Sequence, residues 1–387
     1  MRKTITIGDL GTIITGKTPP TSDKSYYGDY AVFIKPTDIS ESSKFTYETE
    51  EMYSKVAAEK YSSSLIPKGA ICVPCIGTIG TKMTMSHCDC YTNQAINSIV
   101  CNENYDNEYV YYLVKNFLPG LKSYSLGTAS GREYVSKSTF EKIELIAEQD
   151  KAIQRKIGAI LSRYDALIEN YQRQIKLLEE AAQRLYKEWF VDLRFPGHQS
   201  TPIINNLPQS WQKKKLAEIA PIKTGKKDAN FASDDGAYPF FTCAQAPIKA
   251  PSYSFDDNAV ILAGNGDFNV KIYRGKFEAY QRTYVLVPYD SEMLYLLFFC
   301  VSENMVKLAT GASGSTIKFL TKGMIESLDL YQPSTMVLKK FNKLVEQIQS
   351  KKENLLAQIR NLSEARDRLL PKLMSAEMKY NQKYIVL

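Results

Sequence analysis

The chain has very little histidine and no long apolar run. Only His87 and His198 occur in 387 residues, so a Ser-His-Asp triad or a histidine-rich metal site has little material. No apolar stretch approaches the roughly 18 residues that span a membrane. Lys17–Ser22 has the prolines of an Asn/Asp-Pro-Pro-Tyr/Phe methyltransferase motif without its acid or aromatic residue, and Ala263–Phe268 lacks the third glycine of a dinucleotide fingerprint. These absences disfavour a self-sufficient enzyme and a membrane protein.

Cysteine is also sparse, with seven in the whole chain. An odd number in a long chain does not resemble a disulfide framework, and a reducing cytoplasm is the expected location. The stretches Cys72–Cys75 and His87–Cys90 could supply zinc ligands. However, residues three apart on a strand point to opposite faces. We therefore predict buried structural thiols and no metal.

The charge balance is mildly basic, at +7 with a pI near 8.8. Such an excess is compatible with nucleic-acid binding without being diagnostic of it. The amino-terminal stretch has a basic flank but no apolar core, so no secretion signal is expected.

The dominant feature of the sequence is an internal repeat. Shifting Ile168–Phe190 by 184 positions lays it on the stretch that begins at Lys352, with ten identical pairs across the helical window. Similarity continues upstream, where Ile7–Lys17 resembles Leu216–Lys226 and Asn93–Val100 resembles Tyr280–Val287. Between these islands the two halves differ completely. The chain is therefore one plan used twice, a variable globular region followed by a long helix.

Both repeated segments carry apolar residues in alternating steps of three and four, which is typical of a coiled-coil seam. The predicted seam residues are Ile157, Ile160, Tyr164, Tyr171, Leu178, Leu185, Phe341, Leu344, Ile348, Leu355, Leu362 and Leu369.

Two such stripes in one chain most simply bury each other. The first helix leaves the first globular region and arrives at the second, so a second helix that pairs with it must run back. This connectivity predicts an antiparallel pair with one globular region at each end. The alternative is that each helix packs only on the core of its own region.

Several stretches resemble the specificity subunit of type I restriction-modification enzymes. The most specific are Arg184–Gly197, which closes the first helix, and Leu207–Lys226, which enters the second globular region. Gly77–Lys82 followed by Thr92–Asn97 is similar to a strand-turn-strand stretch of that family. The first region departs from the family pattern because it has no Leu-Pro-x-x-Trp entry. The resemblance covers nearly the whole chain.

This resemblance implies a DNA-recognition subunit without catalysis of its own. In that family, each target recognition domain reads one half of an asymmetric, bipartite sequence in double-stranded DNA. The helices form an antiparallel spacer and dock two modification subunits, which methylate adenine with S-adenosylmethionine, and restriction subunits join to cut DNA. We therefore expect no cofactor on this chain and S-adenosylmethionine on its partners.

The expected fold is α+β, with two similar globular target recognition domains separated by two long helices that form an antiparallel coiled coil. The predicted boundaries are residues 1–150 for the first recognition domain, 151–195 for the first helix, 196–335 for the second recognition domain, 336–378 for the second helix and 379–387 for a tail.

Candidate DNA contacts are basic, aromatic and amide side chains in the predicted loops and strands. Lysine and arginine pair with phosphates, and asparagine and glutamine match base edges. The candidates are Lys17, Lys24, Tyr27, Lys82, Asn93, Gln94, Arg132, Lys226, Lys227, Lys271, Arg274, Gln281 and Arg282. Each is equally compatible with a solvated loop or a buried hydrogen-bonding role. A protein-binding or glycan-binding adaptor with duplicated domains on a coiled coil stays open as the alternative function.

Overall fold

The computed structural model describes residues 2–127, 133–312 and 318–375. The chain divides into two compact units, one formed by Met1–Arg173 with Leu355–Leu387 and the other by Gln174–Asn354. We call them unit 1 and unit 2. Each long helix therefore contributes one half to each unit.

Unit 1 is a mixed α/β assembly of short strands and helices. Its strands are β1 (Arg2–Thr6), β2 (Gly11–Thr15), β3 (Tyr27–Ile34), β4 (Met52–Tyr53), β5 (Ile71–Pro74), β6 (Thr84–Met85), β7 (Tyr91–Thr92), β8 (Ile96–Cys101), β9 (Leu126–Gly127), β10 (Glu133–Tyr134) and β11 (Glu144–Glu148). Its short helices are α1 (Lys55–Lys60), α2 (Asn107–Phe117) and α3 (Lys137–Glu141). The long helix α4 (Lys151–Tyr186) follows and ends in one π-helical turn, Lys187–Val191.

Unit 2 repeats this plan with longer strands. Its strands are β12 (Ile203–Ile204), β13 (Leu207–Pro208), β14 (Gln212–Lys215), β15 (Ile222–Thr224), β16 (Tyr238–Phe241), β17 (Ile248–Ala250), β18 (Phe255–Ala263), β19 (Val270–Ala279), β20 (Thr283–Leu286) and β21 (Asp329–Gln332). Its short helices are α5 (Leu216–Ile219), α6 (Leu294–Glu303), α7 (Met305–Gly311) and α8 (Lys322–Glu326), and the long helix α9 (Thr335–Ser375) follows.

Equivalent strands pair in the same way in both units. The antiparallel order β2-β8-β5 of unit 1 matches β15-β20-β18 of unit 2, and β1-β11 matches β14-β21. One parallel pair also recurs, since β3 lies beside β7 and β16 beside β19. The helices α3 and α8 begin in the same way, because Ser136 and Thr321 accept a hydrogen bond from the amide three residues ahead. The repeat seen in the sequence is therefore a repeat of topology.

The two long helices run antiparallel within each unit. In unit 1, Ile157 and Leu161 near the start of α4 share a core with Leu370 and Met374 near the end of α9. In unit 2, the end of α4 meets the start of α9, where the rings of Phe190 and Phe341 lie edge to face with centroids 4.8 Å apart. The fold class predicted from the sequence is confirmed.

The buried row on each helix differs in detail from the predicted seam. Ile157, Phe341 and Leu355 are buried, and the other predicted residues are half-buried except one. That one, Leu344, is 41% exposed, and its neighbour Val345 is buried in its place. Several buried side chains lie one residue after a predicted position: Leu161, Asp165, Tyr186, Val345 and Leu370. A straight helix has 3.6 residues per turn and drifts against a strict heptad, which shifts the buried face along its length.

A buried ion pair joins the two helices inside unit 1. The side chains of Asp165 and Arg366 are 6% and 8% exposed and contact each other directly. Tyr112 of α2 donates a hydrogen bond to the same carboxylate. The repeat-equivalent positions in unit 2 carry Gln349 and Ala182. The same place in the fold is therefore charged in one unit and uncharged in the other.

The chain's glycine inside α4 is also explained by packing. A Cβ built on Gly158 would lie 2.8 Å from the Cβ of Glu108 and 3.0 Å from the amide nitrogen of Tyr109. Only a glycine therefore allows α4 to approach α2 this closely.

Among the described residues, no single helix is long and apolar enough to cross a membrane; only the bent pair Ser291–Glu303 and Met305–Gly311 meets that criterion jointly.

We predict that Arg366→Ala lowers the free energy of unfolding by about 3–5 kcal/mol, because it leaves the Asp165 carboxylate buried without its partner. The double variant Asp165→Gln/Arg366→Ala, which installs the unit 2 residues, should recover most of that loss. Denaturant titration followed by circular dichroism measures both.

The matched control is the more exposed pair between Glu179 and Lys352, whose atoms lie 2.6 Å apart in unit 2. Its removal by Lys352→Ala should cost no more than about 1 kcal/mol. Equal losses for Arg366→Ala and Lys352→Ala would contradict the assignment of a buried charge.

Candidate functional site

In both units, a Thr-Gly-Lys segment crosses the backbone of a short turn at close range. In unit 1, the amide of Lys17 donates to the carbonyl of Thr92 at 2.9 Å. In unit 2, the amide of Gln281 donates to the carbonyl of Lys227 at 2.9 Å. We call this feature the glycine crossing, defined by Gly16 with Thr92–Gln94 and by Gly225 with Ala279–Gln281.

Each crossing requires a glycine, because there is no room for a Cβ atom. A Cβ on Gly16 would lie 2.1 Å from the carbonyl oxygen of Thr92, and a Cβ on Gly225 would lie 2.0 Å from that of Ala279. No side chain can occupy such a position without moving the backbone. The repeated Thr-Gly-Lys in the sequence therefore marks a close contact of two main chains.

Two further backbone contacts at the crossing recur. The amide of Cys75 donates to Ala95 at 2.7 Å, and the equivalent amide of Gly264 donates to Arg282 at 2.9 Å. The same residues then accept, since Val135 donates to Cys75 and Leu320 donates to Gly264, both at 2.8 Å. Four separate chain segments therefore meet at one edge of each unit.

This edge brings several predicted residues together. Lys17 and Gln94 are exposed beside each other in unit 1, and Thr18 donates a hydrogen bond to the Gln94 side chain. In unit 2, Lys226 and Gln281 occupy the equivalent exposed places, with Arg282 next to them. Each unit thus presents at least one lysine and one glutamine at the same place, held by main-chain contacts.

Three other predicted residues in unit 1 already have local partners. The Asn93 side chain accepts from the amide of Ala95 at 3.1 Å. The hydroxyl of Tyr27 donates to the carbonyl of Pro19 at 2.9 Å, and the Lys24 ammonium lies 5.8 Å from the Tyr27 ring centroid. Lys24 is exposed and Lys82 is half-buried.

In unit 2, two predicted residues are committed to internal contacts close to the edge. Lys227 is half-buried, with its ammonium 4.2 Å from the centroid of the Phe231 ring. Lys271 donates to the carbonyl of Ala244 at 2.9 Å, and burial lowers the pKa of its ammonium.

Arg274 lies in β19 and does not extend from the edge. Its guanidinium forms an ion pair with Glu346 of α9. The prediction at Arg132 lies outside the described residues. The sequence could not show the partner of Arg274, because Glu346 is 72 residues away along the chain.

Five of the seven cysteines lie in unit 1, and Cys243 and Cys300 lie in unit 2. Cys72, Cys75 and Cys90 are buried, and none of the seven forms a disulfide. Burial raises the pKa of Cys75 to about 12. In the part of the chain that the structure describes, no three His, Cys, Asp or Glu side chains form a group that could hold a metal ion.

Comparison with known proteins gives the family. The model of the type I restriction modification DNA specificity domain matches residues 2–180 and 208–361. The EcoDI specificity subunit of Escherichia coli is 40% identical over 178 residues, which is 44% of this chain and 39% of that protein. The MjaIX specificity subunit of Methanocaldococcus jannaschii is 26% identical over 97% of this chain and 93% of that protein.

A solved structure shares the fold. The S subunit of the type I restriction-modification system from M. genitalium superposes with a TM-score of 0.57 at 16% identity, over 97% of this chain and 96% of that one. The chain belongs to the type I restriction-modification specificity-subunit family, whose members are DNA-specificity rather than catalytic subunits.

We predict that Gly225→Ala lowers the free energy of unfolding by about 1–3 kcal/mol, because its Cβ would displace the backbone at the crossing. Thermal unfolding of the purified chain measures the loss. Gly127→Ala is the control, since a Cβ there would meet nothing within 4 Å. An unchanged melting temperature for Gly225→Ala would show that the crossing is looser than described.

Proposed function

We propose that the chain recognises a bipartite sequence in double-stranded DNA, one half-site with each unit. The observation that carries this proposal is the repeated glycine crossing, which exposes Lys17 with Gln94 in unit 1 and Lys226 with Gln281 in unit 2. A lysine beside an amide suits DNA, because the ammonium can pair with a phosphate while the amide bonds to a base edge. Membership of a DNA-specificity family supports the same function.

The two units would contribute different half-sites. Their crossings are alike in the main chain, but the residues around them differ, with Thr18 and Asn93 in unit 1 and Tyr280 and Arg282 in unit 2. Because the two backbones are alike, their lysines would contact phosphates in similar positions. The side chains that differ between the units would read different bases. The target is therefore asymmetric in this proposal.

The chain would work as part of a larger complex in the cytoplasm. Two modification subunits would dock on it and methylate adenine with S-adenosylmethionine, and restriction subunits would join them to cut DNA. This chain would supply the choice of sequence and would bind no cofactor itself. Names of relatives as specificity subunits of restriction enzymes support these partners.

We predict that Lys17→Met and Lys226→Met each weaken binding to duplex DNA and each reduce the slope of log affinity against log salt by about one, because one phosphate contact is lost. The double variant should lose about two. Fluorescence anisotropy across a salt series measures the slope. Lys340→Met, an exposed lysine on α9, is the control with an unchanged slope.

A wild-type chain that binds duplex DNA without salt dependence would contradict the proposal and favour the adaptor alternative. Unchanged slopes in both lysine variants, with normal wild-type binding, would instead contradict only the role of the crossings.

The paired helices would set the gap between half-sites. We predict that a heptad inserted into each helix lengthens the tolerated gap by about three base pairs, since seven residues add about 10 Å and a base pair about 3.4 Å. The base sequence of each half-site should stay the same. Genome-wide mapping of methylated adenines, with the modification subunits co-expressed, measures both. An unchanged gap would refute the role of the helices as a spacer.

A further inference from the structure

A tyrosine at the same place in both units holds a cation from the divergent part of that unit. Tyr111 of α2 and Tyr295 of α6 are equivalent in the repeat. In unit 1, the buried ammonium of Lys44 lies 5.2 Å from the centroid of the Tyr111 ring and pairs with Glu108. In unit 2, the guanidinium of Arg274 lies 5.2 Å from the Tyr295 ring centroid.

The two cations come from segments that do not resemble each other. Lys44 lies between β3 and β4, whereas Arg274 lies within β19. Each cation nevertheless reaches the same tyrosine of the shared scaffold. In each unit, one positively charged side chain from the divergent part thus contacts an equivalent helix, α2 in unit 1 and α6 in unit 2.

In unit 2, the cation also contacts the long helix α9. Arg274 donates to both carboxylate oxygens of Glu346 on α9, at 3.1 and 3.0 Å, and to the hydroxyl of Tyr295 at 2.6 Å. Tyr295 in turn donates to Glu346. The hydrogen bond from Arg274 holds the pKa of Glu346 below its usual value, so the carboxylate stays charged. A bidentate pair of this kind fixes direction as well as distance.

Strand β19 connects this contact to the edge of unit 2 that carries the glycine crossing, which we call the recognition edge. The strand begins after the Gly264–Asn269 loop and ends at the glycine crossing of unit 2. It pairs with β18 from Phe255 to Leu262, so it is held along most of its length. A shift of Arg274 relative to α9 would therefore carry both ends of β19 with it.

We propose that Arg274, Glu346 and Tyr295 form a positioning lock that fixes the orientation of the unit 2 recognition edge on α9, and thereby the gap accepted between the half-sites. This inference rests on the proposed function. It assigns Arg274 a role through Glu346 rather than a contact with DNA. Lys44 is the counterpart in unit 1.

The test uses the full chain in complex with co-expressed modification subunits. Duplexes that carry the mapped half-sites are compared at the native gap and at gaps longer or shorter by a single base pair. Arg274→Met keeps the aliphatic length and removes the charge. The Arg274 and Glu346 side chains are 45% and 52% exposed, so we expect the preference for the native gap to fall about two- to five-fold, while the base sequence of each half-site in a methylation map stays unchanged.

Three further variants separate a lock from general weakening. Glu346→Gln should reproduce the effect, and the double variant Arg274→Met/Glu346→Gln should be no worse than either single one, because the two residues act as a unit. Arg274→Lys should rescue gap preference only in part, since an ammonium cannot make the bidentate contact. Lys276→Met is the matched control, two residues along the same strand and exposed, and should leave gap preference unchanged.

Two results would overturn the lock. One is an Arg274→Met variant that changes the methylated letters, which would make Arg274 a base-reading residue. The other is an unchanged gap preference in Arg274→Met, or in Glu346→Gln if Arg274→Met does not fold. A wild-type complex that methylates no bipartite site would instead refute the proposed function, which separates the two failures.

Discussion

The antiparallel pairing of two repeated helices is the constraint on which the rest of the structure depends. Within each unit, the start of one long helix lies against the end of the other, and the globular core closes over that junction. Unit 1 needs residues from both ends of the chain for this reason. Arg2 of β1 donates to the carbonyl of Leu373 near the end of α9 at 2.7 Å. Unit 1 is discontinuous in sequence and unit 2 is the continuous stretch Gln174–Asn354, but each contains part of both long helices.

The helix junctions of the two units share a backbone arrangement but bury different side chains. Unit 1 buries the charged pair of Asp165 and Arg366, whereas unit 2 packs Tyr186, Trp189 and Phe190 around Phe341. Removing one member of a buried pair costs far more than removing a surface pair. The aromatic cluster gains its stability from buried area and ring geometry. The same backbone arrangement thus accommodates a buried ion pair in the apolar core of one unit and an aromatic cluster in the other.

Much of the architecture could be predicted because it is local or repeated. The period of the apolar residues predicts both long helices, and the shift of 184 residues predicts that the two halves share a topology. Repeated islands such as Thr-Gly-Lys mark the glycine crossing, although the close approach of Gly16 to Thr92 became visible only in three dimensions. These features depend on neighbours in sequence or on a comparison within the chain.

The remaining features depend on contacts between distant residues, and these the sequence did not reveal. The seam was predicted with Leu344, but Val345 is buried, because the drift of a helix against a heptad depends on its packing partner. Asp165 is not among the predicted seam residues, and nothing near it in sequence points to Arg366 at a separation of 201 residues. Arg274 looked like a DNA contact because it is basic and lies near aromatic residues. Its ion pair with Glu346 joins residues 72 apart in the chain, which no local pattern reveals.

The glycine crossing has a consequence for how such proteins can diversify. Its three contacts join main-chain amides and carbonyls, so they impose no demand on side chains except at the glycine itself. Neighbouring positions can therefore accept substitution, or replacement of a whole segment, while the local framework is preserved. Under the proposed function, exchange of the divergent segment of one unit would change one half-site, and the other unit would need no compensating change.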